Sequence, residues 1–188
     1  MGIMGDLVTE NRTGVLIMNT GTPDEVSEEA IRSYLYEMLM DRNLVDIPRF
    51  IWVPVLKHCI LPNRPKASIK RYRLIWEEDG SPFMKVSYRQ RDMLQEELDA
   101  RGHKTEVVLA MRYGNPNTQE ALDHFAQEGV ERLIVLPLFP QGAKVTSFTC
   151  NEQVQGLLAK MSWNPEVTYI SDYCDEPGYI DELAQSIR

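Results

Sequence analysis

The sequence predicts an α/β fold, a doubly wound, four-stranded parallel sheet with helices on both faces. Two observations predict it. An unbroken apolar run, Gly14-Val15-Leu16-Ile17-Met18, ends at a small polar turn, Asn19-Thr20-Gly21-Thr22-Pro23, the pattern of a strand covered on both faces. Three further strand-like runs follow, each separated from the last by a stretch of helical periodicity, and such alternation builds parallel sheets through helical crossovers. The expected strand order is 2-1-3-4. That order puts the topological switch point between the first and third strands, where open α/β sheets bind ligands beyond the carboxyl ends.

Taken in order, residues 1–12 read as a frayed or expression-derived start, without the apolar core of a signal peptide. Residues 13–188 form the α/β lobe. After the first strand, Ile31, Tyr34, Leu35, Met38 and Leu39 make an apolar stripe on a helix from about Ser27 to Asp41, with Ser27 as N-cap. Residues 41–79 are less regular, because Pro48, Pro54, Pro62 and Pro65 break the pattern. A helix is expected there from about Ala67 to Trp76, and another from about Lys85 to Arg101, stopped by Gly102. The second strand is Lys104 to Met111. Asn117 and Glu120 open a helix that ends near Gly129. The third strand is Arg132 to Leu138. Thr149 with Glu152 reads as a second capping pair. The fourth strand is Glu166 to Ile170, followed by a helix from about Gly178.

Composition narrows the function classes. With 43% hydrophobic and 26% charged residues the chain suits a packed globular core, and its net charge of −8 argues against nucleic-acid binding. Cys59, Cys150 and Cys174 fall in no metal or disulfide spacing and read as reduced thiols, which gives a cytoplasmic expectation. His58, His103 and His124 form no ligand set, so no metal site is expected. The apolar stretch Phe50 to Leu61 is interrupted by Pro54, Lys57 and His58 and is too short to span a bilayer. There is no Walker A sequence and no Gly-x-Gly-x-x-Gly, so an ordinary nucleotide binder is disfavoured.

Three clusters could carry ligand chemistry. Ala110-Met111-Arg112-Tyr113-Gly114 places a cation and an aromatic ring at a strand's carboxyl end. Arg112 could grip a ligand carboxylate and Tyr113 could stack on a flat ligand; the local alternative is a salt bridge for Arg112 and a core position for Tyr113. Leu136-Pro137-Leu138-Phe139-Pro140-Gln141 brackets a strand end with prolines, and Phe139 either faces a crevice or packs on a helix. Arg71-Tyr72 lies shortly before Gly80-Ser81-Pro82 and offers a further cation and hydroxyl. No Ser/His/Asp or Cys/His order is legible.

In this order and spacing the clusters resemble the ferrochelatase family. The resembling segments are Leu16 to Pro23, Arg32 to Leu35 with Leu39-Met40-Asp41-Arg42, Ile60-Leu61 to Arg64-Pro65, Tyr72 with Ile75-Trp76, Gly80-Ser81-Pro82, Ala110 to Tyr113, and Val135 to Gln141. The resemblance implies one lobe of a two-lobed enzyme that inserts ferrous iron into a porphyrin, with iron and porphyrin as substrates and no cofactor held by this chain alone. By resemblance the porphyrin-binding residues are Thr20, Arg42, Arg71, Tyr72, Ser81, Arg112, Tyr113, Phe139 and Gln141. The Phe50 to Leu61 segment corresponds to a lip of the cleft that in some members touches membrane. The implied partners are the porphyrin and a C-terminal lobe.

Departures accompany the likeness. The family's Ser-Ala-His-Ser motif and its later glutamate are absent here, so no catalytic residue is expected in this chain, and the chain alone is expected to be inactive. Thr20 stands where the family often has Tyr or Met. Gly142-Ala143-Lys144-Val145 replaces a Ser/Thr-rich run. Two other readings compete: a lobe of a cobalt or nickel chelatase, and a stand-alone tetrapyrrole- or haem-binding module.

Overall fold

The fold is built outward from β1 (Thr13–Asn19), whose side chains from Val15 to Met18 are buried on both faces of the sheet. The structure, a computed structural model, describes residues 12–187. Strand β1 pairs in parallel with β2 (Thr105–Met111) on one side and β3 (Arg132–Pro137) on the other, and β4 (Glu166–Tyr169) pairs in parallel with β3. The order is β2-β1-β3-β4, as expected.

Alternation along the strands sorts the core into two layers. Leu16, Met18, Ala110, Leu133 and Val135 face α5 (Thr118–Gln127) and α6 (Thr149–Leu158), meeting Leu122, Phe125 and Val154. Val15, Ile17, Val107 and Leu109 face α4 (Pro82–Ala100) through Phe83, Met84, Leu94 and Leu98. A third cluster belongs to helices inserted after β1. Ile31, Leu35 and Leu39 of α1 (Glu28–Leu39) pack with Leu56 and Leu61, joined by Trp52 of α2 (Arg49–Val55) and Ile69 and Tyr72 of α3 (Arg64–Ile75). Fully burying each such side chain contributes roughly 1.5–3 kcal/mol. The final helix is α7 (Pro177–Ile187).

Local signals fix several boundaries. The Ser27 hydroxyl accepts from the Ala30 amide at 3.1 Å, and the Asn117 side chain accepts from Glu120 at 2.9 Å, so both are N-caps as expected. The prolines behave differently from the expectation. Helices α3 and α4 begin earlier than anticipated, at Arg64 and Pro82, because Pro65 and Pro82 stand in their first turns. There the missing amide is not needed and the fixed φ suits a helix. Helix α2 runs across Pro54 and widens into a π-helical turn, Leu56–Ile60, closed by Leu61 N–H donating to Leu56 O at 2.9 Å. The segment read as broken is therefore helical.

Residues 1–11 of the expected frayed start lie outside the described residues. Arg12 is tied into the fold: its carbonyl accepts from Glu131 and Arg132, and its guanidinium pairs with Glu128.

The carboxyl ends of the strands are stitched together beyond the ladder. Arg112 N–H donates to Asn19 O at 2.7 Å, Tyr113 N–H to Thr20 O at 3.0 Å, and Leu138 N–H to Met18 O at 2.7 Å. The bends at Thr20 and Phe139 thus stand on adjacent strands at the same end of the sheet. Gly21 makes this crowding feasible, with φ of +99° and a site where an added Cβ would lie 1.9 Å from Tyr113 O. Gly102 also has positive φ, +77°, but open space around it. Gly21→Ala should therefore lose about 3 kcal/mol or more in urea unfolding, and Gly102→Ala only about 1 kcal/mol; equal losses would contradict the close approach.

Candidate functional site

The strand-end site is organised by Asp41, which follows α1 and is 8% exposed. Its Oδ2 accepts from Arg112 Nη2 at 2.7 Å, from Tyr113 OH at 2.7 Å and from Thr149 Oγ1 at 2.5 Å, while Oδ1 accepts from the Asn43 amide at 2.8 Å. Thr149 Oγ1 in turn accepts from Arg112 Nε at 2.9 Å, and the guanidinium carbon sits 4.6 Å from the centre of the Tyr113 ring. Burial alone pushes the Asp41 carboxyl up, but the bonds from Thr149, Tyr113 and Asn43 and the Arg112 charge outweigh it and hold the group below its ordinary value. Burial and the Asp41 hydrogen bond push the Tyr113 phenol up, so it stays protonated and donates. Burial likewise pushes the neighbouring Cys150 thiol up to about 12.

This geometry corrects two expectations. Tyr113 is 1% exposed and cannot stack on a ligand; it is a core residue whose hydroxyl bonds Asp41. Arg112 directs Nε and Nη2 into the same cluster rather than toward a ligand carboxylate. The two residues brace the strand ends from beneath. Thr149 opens α6 as expected, yet it is no N-cap. The π-helical turn Lys144–Phe148 precedes it, and its hydroxyl is engaged by Asp41 and Arg112.

The other expected residues divide among three places. Thr20 and Phe139 mark the two strand-end bends; Phe139 also packs against the core layer under α5 and α6, and Gln141 beyond it is exposed. Arg71 and Tyr72 lie on α3, lining a groove of about 580 Å3 between α1 and α3 with Tyr34, Leu35, Met38 and Arg64. Tyr72 is half-buried, its ring edge-on to Trp76 at 6.1 Å. Ser81 is buried at the start of α4, in a cleft of about 650 Å3 shared with Thr22, Pro23, Met84 and Tyr88. Arg42 is exposed, next to Asp41. Tyr34 links groove and strand ends: its hydroxyl donates to Gly21 O at 3.1 Å and its ring meets Tyr113 edge-on at 6.5 Å.

A further cleft of about 900 Å3, lined by Gln95, His103, Thr105 and Glu106, lies at the opposite end of the sheet. The strand-end site is favoured over it despite its smaller cavities, since ligands of open parallel sheets bind beyond the carboxyl ends. None of the histidines approaches the strand-end cluster. His124 pairs with Glu106 at 2.6 Å, and His58 and His103 are exposed. Asp172, Cys174 and Asp175 bring donor atoms within 4.8 Å of one another after β4, without a histidine among them.

Sequence reasoning missed Asp41 and Tyr34 as site residues. The available signal for Asp41 was an acid directly after an amphipathic helix, between Met40 and Arg42.

Similarity to known proteins bears on this arrangement. The sequence model of the family described as Ferrochelatase matches residues 12–188. The chain belongs to the ferrochelatase family. It is 40% identical over 177 residues to ferrochelatase 2 of Shewanella oneidensis, covering 94% of this chain and 54% of that protein. It is 40% identical over 178 residues to a ferrochelatase of Chromobacterium violaceum, covering 94% and 49%, and 41% identical over 181 residues to one of Aromatoleum aromaticum, covering 96% and 50%. The chain thus spans about half the length of these ferrochelatases.

Arg112→Met leaves the Asp41 carboxylate buried without its cation and should cost about 3–5 kcal/mol near neutral pH. In the native protein the depressed Asp41 pKa contributes stability that is present above the ordinary carboxyl range and lost as pH falls through the depressed value. The stability gap between native protein and variant, from urea unfolding, should therefore narrow as pH falls below about 4. A gap independent of pH would contradict the pairing.

Proposed function

We propose that this chain is the porphyrin-holding lobe of a ferrochelatase, which inserts ferrous iron into a porphyrin in haem biosynthesis. The observation that carries the reading is the placement of Thr20 and Phe139 on adjacent strand ends at the switch point, in a chain of this family. The two bends floor the porphyrin, and the α1–α3 groove, with Tyr72 on its wall, continues that bed. A porphyrin is a flat apolar ring with acidic side chains. The exposed Arg42 and Arg71 suit those acids, while Gln141 and the Ser81 hydroxyl supply neutral polar contacts. Arg112 and Tyr113 act indirectly, by fixing the strand ends on Asp41.

Insertion requires loss of two pyrrole protons and stripping of water from a cation, work suited to a histidine and acidic groups. No histidine stands among the described residues at the strand ends, and the carboxylate there, Asp41, is occupied by Arg112, Tyr113 and Thr149. In this reading the described residues supply the bed, and the proton-accepting groups come from a second lobe. Iron and porphyrin are its substrates. The exposed Phe50 and Ile51 of α2, with Phe50 at 80% exposure, suit peripheral contact with a membrane surface at the lip of the bed. No helix among the described residues is long and apolar enough to cross a membrane, and a cytoplasmic enzyme is the proposed setting.

Titration of the chain with protoporphyrin should give a saturable red shift of the Soret band with one ring per chain; no saturable shift would contradict the reading. Iron insertion by the chain alone should run at least about a hundredfold below a complete ferrochelatase, and comparable turnover would contradict that division of labour.

A further inference from the structure

The three inserted helices form their own apolar cluster, apart from the two layers on the sheet. Beside the edge-on contact of the Tyr34 and Tyr113 rings, a short set of polar contacts ties them to the sheet. Tyr34 OH donates to Gly21 O, Glu37 Oε2 accepts from the Gly114 amide at 2.8 Å, Asn43 Nδ2 donates to Glu152 Oε2 at 2.5 Å, and Asp41 receives Arg112, Tyr113 and Thr149. Tyr34 and Glu37 lie three residues apart on one side of α1, the side turned to the strand ends, and Asp41 follows just past the helix end. Among these contacts Asp41 alone joins three bodies through one oxygen: the helical insertion, the end of β2 and the start of α6. It is also the only charged group of the set that is buried.

We propose that Asp41 is a positioning residue, which sets the register of the α1–α3 groove against the strand-end bed so that one flat ligand spans both. The proposal rests on the porphyrin reading for its ligand, but its structural half stands independently of it. A buried carboxylate suits the task because its Oδ2 takes three donors while its Oδ1 takes the Asn43 amide, and no neutral side chain of similar size does this while balancing the Arg112 charge. Sites that must span two bodies lose affinity steeply when the bodies shift by about an ångström.

The test compares native chain, Asp41→Asn and Val107→Ala, the last a buried core change near the start of β2, toward the far end of the sheet from the bed. Amide hydrogen exchange should quicken about tenfold or more in Asp41→Asn at Tyr113, Gly114 and the facing side of α1, while Leu16 and Val135 keep their protection. Protoporphyrin Kd, measured well below every midpoint, should rise about tenfold in Asp41→Asn and stay within about twofold in Val107→Ala. Should Asp41→Asn not fold, Thr149→Val removes one donor and should give the same pattern at smaller amplitude. Unchanged exchange at Tyr113 and Gly114, or quickening spread evenly over the sheet, overturns the proposal. So does a Kd that is unchanged in Asp41→Asn, or one that follows thermal stability in both variants. If the native chain gives no Soret shift, the porphyrin reading fails, and exchange alone decides the positioning claim.

Discussion

A carboxylate removed from water persists only where donors and a cation replace its hydration, and here that requirement draws distant parts of the chain to one point. Asp41 lies after the first helix, Arg112 and Tyr113 at the end of the second strand, and Thr149 at the start of the sixth helix. Their convergence fixes where the helical insertion rests on the sheet. Removing one member strands the others in a low-dielectric setting, which is why such clusters are costly to break even when their net contribution to stability is small.

The bed above this cluster follows from sheet geometry. A parallel ladder leaves the carboxyl ends of β1, β2 and β3 side by side, and the hydrogen bonds from Arg112, Tyr113 and Leu138 carry the ladder one step past the strands. The loops leaving it are then held at a fixed spacing. Gly21 permits the closest approach, against Tyr113 O. The helices of the insertion adjoin these ends through Tyr34, whose hydroxyl donates to Gly21 O, and they leave apolar residues such as Phe50 uncovered. One rigid floor with an adjoining apolar groove suits a planar ligand, and membership of the ferrochelatase family agrees with it.

Much of the fold was legible because its signals are local. Four apolar runs marked the strands, Ser27 and Asn117 marked helix starts, and alternation of strands with helices implied the parallel order. Pro65 and Pro82 misled because a proline in a first turn and a proline in a break look alike without backbone dihedrals. Pro54 was masked by the wide turn that follows it. The site was less legible. Arg112 and Tyr113 take the local alternative, a salt bridge and a core position, and the sequence leaves that choice open because Arg112 meets its partner 71 residues away and nothing in the local sequence names it. Thr149 carried a capping signature, but a buried carboxylate claimed its hydroxyl.

On the proposed function a porphyrin rests on the carboxyl ends of the strands. Amide and methyl chemical shifts of the isotopically labelled chain, recorded with and without protoporphyrin, test it most directly through the ring current of the macrocycle. The largest upfield shifts are expected at Thr20, Phe139, Leu35 and Met38. Shifts concentrated at Gln95, His103 and Thr105, at the far end of the sheet, would contradict it.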